Sequence, residues 1–140
     1  MSPLDREVLR RKLSRIVEYL RWLQSMRGLS LAEYKADFVR RKAVERVLQE
    51  VVDTAVDINS HLLVEGGRPA PEDLYSSFTE LTQLGVLEKS LSSELAPSAG
   101  LRNRLVHAYD TIDDSVVLSA VGRAIDQYTL YVARVEKFIA

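Results

Sequence analysis

Three long stretches of the chain carry apolar residues at the spacing of one helix face. In the first, Leu9, Leu13, Ile16, Leu20 and Leu23 recur at steps of four and three, which stacks them on one side of a 3.6-residue turn. Arg10, Arg11, Lys12, Arg15 and Arg21 fall largely elsewhere. Gly28 marks the end, because glycine accepts the left-handed conformation that closes many helices. The second stretch repeats the pattern with Val44, Leu48, Val51, Ala55, Ile58 and Leu62. Ser30 followed by Glu33 resembles a capping box at its start, and Gly66-Gly67-Arg68-Pro69 stops it. The third runs from about Ser115 to Ile139, with Val121, Ile125, Tyr128, Val132, Val135 and Ile139 as its stripe and Asp113 or Asp114 as its N-cap.

Shorter pieces lie between. Pro69 to Asp73 reads as a loop, and residues 74–84 as a short helix. Residues 86–95 form another apolar–polar segment, closed by Pro97 and Gly100. No window alternates apolar and polar residues over the length of a strand. The pattern predicts an all-α fold, a four-to-five-helix antiparallel bundle. A single domain over residues 1–140 is expected, since a boundary at 66–73 would leave neither half able to bury three apolar stripes.

Composition narrows the function classes. No apolar run approaches the roughly 18 residues of a membrane span, and charges begin at Asp5, so neither a span nor a secretory leader is predicted and a cytoplasmic protein is expected. With no cysteine there is no disulfide, no thiol nucleophile and no thiolate zinc site. His61 and His107 are the only imidazoles. The net charge of −1 hides an asymmetry. Residues 1–50 hold 12 of the 19 basic and 7 of the 20 acidic groups, a balance of +5, and the rest carry −6. Such polarity suits an acidic partner such as RNA along the first two helices, although basic residues also solvate the outer faces of ordinary helices.

Chemistry concentrates in residues 97–114, where Arg102, Asn103, His107 and Tyr109 crowd between two helical elements. Arginine is a permanent cation whose fork matches phosphate, and histidine both takes and gives protons near neutrality. Together they form a minimal kit for metal-free RNA cleavage. The histidine would deprotonate a ribose 2′-hydroxyl, and the arginine would stabilise the extra charge at five-coordinate phosphorus. On an ideal helix, however, Arg102 and His107 point roughly 140° apart, whereas Asn103 and His107 share a face. Either Arg102 sits at a frayed helix start and curls back, or the site is composite, with Arg102 and His107 of two protomers around one cleft. The composite arrangement is preferred, because one arginine and one histidine give neither a two-point phosphate clamp nor a separate acid and base. The bland alternative is a capped helix whose histidine and tyrosine simply pack on neighbours.

Arg102-x-x-x-x-His107-x-Tyr109, with Asn103 directly after the arginine, resembles the defining motif of the HEPN superfamily. The trailing tyrosine makes it similar to the HepT-like toxins in particular. Arg41-Lys42-Ala43-Val44-Glu45-Arg46 through Asp57-Ile58-Asn59-Ser60-His61-Leu62 is similar to that family's second helix, and Ile112-Asp113 fits as well. The resemblance spans roughly residues 38–139. It implies a homodimer, with Arg102 and His107 of both subunits building a metal-independent endoribonuclease site that needs no cofactor. It further implies a minimal nucleotidyltransferase antitoxin of the MntA kind, with Tyr109 as the acceptor of adenylyl groups.

Asn103 and Asp57 are the expected supporting residues. Asp57, one turn before His61, is placed to orient that histidine or to reach Arg102. His61 is expected to be structural more than catalytic, Trp22 and Tyr19 to pack, and Asp113-Asp114 to cap a helix rather than bind a cation. Three functions compete: an RNase toxin, a non-catalytic nucleotide-binding or partner module for a nucleotidyltransferase, and a structural helical adaptor.

Overall fold

Ser2 opens the first helix through its side chain. Its Oγ accepts the amide of Asp5 at 3.1 Å, and the Asp5 carboxylate accepts the Ser2 amide at 3.3 Å, so two otherwise orphaned donors are satisfied reciprocally. From this cap α1 runs over Pro3–Gln24 in the computed structural model, which describes residues 1–140. The remaining helices are α2 (Leu31–Ala36), α3 (Phe38–Glu65), α4 (Leu74–Thr79), α5 (Lys89–Leu95), α6 (Pro97–His107) and α7 (Asp114–Ile139), with a 3₁₀ turn at Glu80–Leu84. The expected all-α bundle is present, built mainly from α1, α3, α6 and α7. No helix is long and apolar enough to cross a membrane.

Every residue of the three apolar stripes is buried, so the periodicity does select the core face. Helix α1 lies against α3 and α7, α6 packs on α3, and the short α4 and α5 close the end of the bundle beside α6. Phe78, Tyr128 and Tyr131 meet edge-on or tilted, with centroids 5.7 to 6.4 Å apart. The buried polar atoms beside them are paired. The Tyr131 hydroxyl donates to Asn59 Oδ1 at 2.5 Å and lies 3.1 Å from the Ala55 carbonyl oxygen, and Asn59 Nδ2 donates to Ser77 Oγ at 3.1 Å.

Four boundaries differ from the sequence reading. Helix α1 ends at Gln24 with Ser25 as its C-cap, and Gly28, at φ 86°, lies in the turn beyond it. The Ser30–Glu33 capping box starts only the six-residue α2, because Asp37 adopts an extended conformation (φ −118°, ψ 100°) and starts a new helix by accepting the Arg40 amide. Residues 74–84 are α4 followed by the 3₁₀ turn, which Gly85 closes at φ 76°. Pro97 and Gly100 do not close a segment. Pro97 occupies the first position of α6, where the missing amide costs nothing, and Gly100 lies within the helix.

Candidate functional site

Helix α6 carries most of the motif. Leu105 and Ala99 are buried and hold the helix against the bundle. Arg102 is therefore not at a frayed helix start: it sits in the middle of regular helix and is half-buried, whereas Asn103 and His107 stay exposed one turn apart. His107 is the last helical residue. Behind it the Ala108 amide donates to the Arg104 carbonyl at 2.8 Å, and the Thr111 amide donates to the Ala108 carbonyl at 3.1 Å, which turns the chain toward α7. Asp113 then caps α7 by accepting the Ser115 amide at 2.8 Å, while Asp114 lies 3.8 Å from Arg41, so the acidic pair is explained within the fold.

The arginine is anchored from across the bundle. Arg102 Nε donates to Asp53 Oδ1 on α3 at 2.6 Å, a charge-assisted bond at the short end of its class. The other Asp53 oxygen accepts from Gln49 Nε2 at 3.3 Å, and Arg102 Nη1 donates to Asn103 Oδ1 at 3.3 Å. This fixes the stem of the guanidinium through Nε and leaves the outer nitrogens mostly available for an anion. A cavity of about 350 Å³ opens at this point between α3, α6 and α7, with Leu48, Val51, Leu105 and Gln127 in its walls and Arg102 and Arg123 on its lining.

One sequence expectation changes here, and His61 stays in the structural place expected of it. Asp57 does not meet Arg102 or His61. It is exposed and forms no hydrogen bond or ion pair, because the α3 face that looks at α6 is offset by one turn and presents Asp53 instead. His61 lies two turns farther along α3, roughly 12 Å at 1.5 Å per residue, with Nε2 3.2 Å from Asp5 Oδ1 on α1. Asp53 was the residue that sequence reading missed. Its only signal was a carboxylate beside the apolar stripe of α3, one position from Val52 and two from Ala55, where a charge needs a partner.

Tyr109 lies beyond the helix end and is 60% exposed. Lys42 Nζ sits 5.8 Å from its ring centre. A second hollow of about 240 Å³ separates the tyrosine from α3, bordered by Lys42, Glu45, Arg46, Gln49 and Leu105. One α6 helix thus presents an anchored cation toward α3, an imidazole at its exposed end and an open phenol just past it. Within one protomer the arginine and histidine leave the helix in different directions, as their five-residue spacing requires.

The Ribonuclease HepT-like family profile matches residues 16–135. The chain is 34% identical over 139 residues to the tRNA nuclease HepT of Aphanizomenon flos-aquae, covering 99% of this chain and 95% of that protein. It is 25% identical over 126 residues to the mRNA nuclease HepT of Shewanella oneidensis, covering 90% and 94%. Its fold superposes on the tri-AMPylated Shewanella oneidensis HEPN toxin, solved in complex with an MNT antitoxin, with a TM-score of 0.84 at 23% identity over 98% of this chain and 99% of that one. The match covers the helical core and the α6 segment, and the chain belongs to the HepT-like ribonuclease family.

Proposed function

We propose that this protein is a metal-independent endoribonuclease toxin acting as a homodimer, with Arg102 and His107 of both protomers around one cleft. The observation that carries the reading is the divergence of the two side chains on a regular α6, with Arg102 pinned to Asp53 at 2.6 Å and His107 exposed at the helix end. A two-fold axis beside α6 brings the second copy of each to the same phosphate. His107 takes the proton of the 2′-hydroxyl, O2′ bonds to phosphorus, and the bond from phosphorus to O5′ breaks as the partner's His107 gives O5′ a proton. The paired arginines hold the non-bridging oxygens as negative charge develops. The products are a 2′,3′-cyclic phosphate and a 5′-hydroxyl. The identity with a tRNA nuclease over nearly the whole chain makes tRNA the first substrate to try.

The same reading makes Tyr109 a control point. An MntA-like nucleotidyltransferase antitoxin would adenylylate it: the phenol oxygen attacks the α-phosphate of ATP and pyrophosphate leaves. Exposure of Tyr109 supports this, since an acceptor must reach a second enzyme's active site. The added nucleotide is bulky and anionic, and on Tyr109 it would repel the RNA phosphates.

The test is cleavage of tRNA in the presence of EDTA by wild type and by His107→Ala. Wild type is expected to leave cyclic-phosphate ends, and the variant to lose ~10²–10⁴-fold, the usual worth of positioned proton transfer. Full activity in the variant would overturn the assignment. Modification of Tyr109 without any RNA turnover by wild type would favour the non-catalytic partner module instead.

A further inference from the structure

Helix α3 opens with two apolar residues in solvent, Phe38 at 61% and Val39 at 75% exposure. Isolated apolar residues at a surface need no explanation. Phe38 is not isolated. Arg41 Cζ and Lys42 Nζ each lie 5.6 Å from its ring centre, and the same Lys42 Nζ lies 5.8 Å from the ring centre of Tyr109. The two rings thus flank one cation with their centres at most about 11 Å apart, a reach of no more than about three steps of a strand rising ~3.4 Å per stacked base. Tyr109 is two residues from His107, and the hollow lined by Arg46 and Gln49 lies alongside.

Flat rings accept any base face, and a cation between them suits the connecting phosphate; this combination binds single strands with little sequence preference. The charges here are partly answered already. Arg41 lies 3.8 Å from Asp114, Lys42 3.5 Å from Glu45, and Arg46 3.0 Å from Glu50. The first two contacts are well beyond the ~2.7–2.9 Å of a tight charged hydrogen bond, so a phosphate can replace them. Affinity here must therefore come more from stacking than from charge. A protein partner docking through charge would be favoured by the opposite balance.

We propose that Phe38, Lys42 and Tyr109 form a stacking platform for the single-stranded RNA that flanks the scissile phosphate, with Phe38 taking a base within about three nucleotides of the one at Tyr109. The choice of RNA rests on the proposed ribonuclease activity. The platform would extend the bound strand along the start of α3, and adenylylation of Tyr109 would cover one end of it.

Binding is measured by fluorescence anisotropy of a labelled 12-nucleotide single-stranded RNA, using full-length protein carrying His107→Ala so that no strand is cut. Adding Phe38→Ala is expected to weaken binding about 5- to 150-fold, the value of one stacked base. Phe38→Trp should restore affinity to within about twofold, and Lys42→Gln should cost less than Phe38→Ala. Because Phe38 is mostly exposed, folding of each variant is checked by an unchanged thermal midpoint. Equal affinity with and without Phe38, or no RNA binding by the His107→Ala protein, would overturn the platform. So would a Phe38→Ala variant that loses association with the antitoxin while binding RNA normally. If wild type cuts no RNA but the stacking pattern holds, the activity fails and the platform stands. Intact cleavage with no Phe38 effect gives the reverse.

Discussion

Replacing Asp53 by alanine removes the oxygen that receives Arg102 Nε at 2.6 Å and the one that receives Gln49 at 3.3 Å. Both members of the ion pair keep some solvent contact, with side-chain exposures of 23% for Arg102 and 36% for Asp53. The cost in stability should lie between an exposed pair, ~0.2–1 kcal/mol, and a buried charged hydrogen bond, ~1.5–3 kcal/mol. About 1 kcal/mol is expected, lowering Tm by roughly 3–4 °C in a chain of this size. The functional cost is larger. An untethered arginine must be ordered anew at each turnover, and fixing such a side chain costs ~1.5–2 kcal/mol, equivalent to a rate loss of about 10- to 30-fold. If Arg102 acts on charge that develops only in the transition state, the loss falls on kcat and leaves KM nearly unchanged. The assay is single-turnover and steady-state cleavage of tRNA by wild type, Asp53→Ala, Arg102→Ala and the double variant. On the proposed function Asp53 acts only by positioning Arg102, so the double variant should be no slower than Arg102→Ala alone. Wild-type kcat in Asp53→Ala, or a double variant slowed by the full Asp53 factor again, would refute the reasoning.

Four other outcomes follow from the same contacts. Tyr109→Phe should cleave RNA at the wild-type rate and take up no AMP from the antitoxin and ATP, by intact mass; adenylylation elsewhere with full neutralisation would contradict the role of this phenol. Asn59→Ala strips a fully buried side chain from the Tyr131 and Ser77 hydroxyls and should cost ~2–3 kcal/mol, seen as a lower urea midpoint at an unchanged m value. Gly85→Ala forces a side chain onto φ 76° and should cost ~1–2 kcal/mol by the same measurement. The hydroxyl and amide of Ser115 hold the Asp113 carboxyl below its ordinary pKa, so its cap contributes stability above about pH 4 and loses it as pH falls through the lowered folded value. Asp113→Asn keeps a capping oxygen without titrating, and its Tm should fall less steeply below about pH 4 than that of wild type.

The sequence made the long helices plain because each buries one face, and a 3.6-residue period is all that such a face needs. Leu9 to Leu23, Val44 to Leu62 and Val121 to Ile139 are core residues for that reason. The short helices were harder. Asp37 ends one helix and starts the next without any glycine or proline, so the apolar pattern runs past the break, although a carboxylate three residues before Arg40 is itself a capping signature. Pro97 is compatible with the end of one segment and the first turn of another, and only the packing of α6 on α3 decides between them. The motif residues Arg102, Asn103, His107 and Tyr109 were legible because their chemistry is rare and local. Asp53 was not, since it meets Arg102 across 49 residues of chain and no periodicity reports which turn of α3 faces α6. Asp57, one turn on, is on the same face of α3, and the position of α6 along that axis selects Asp53.

The central claim is that two protomers share one cleft. It is tested most directly with a dimer purified through two different tags, in which one protomer is wild type and the other carries Arg102→Ala and His107→Ala. If both arginines and both histidines serve the same phosphate, this dimer lacks either its acid or its base. Its cleavage of tRNA should then fall at least ~10²-fold, the lower end of what one positioned proton transfer is worth. Half of the wild-type rate would mean that each protomer cleaves alone, and would contradict the account.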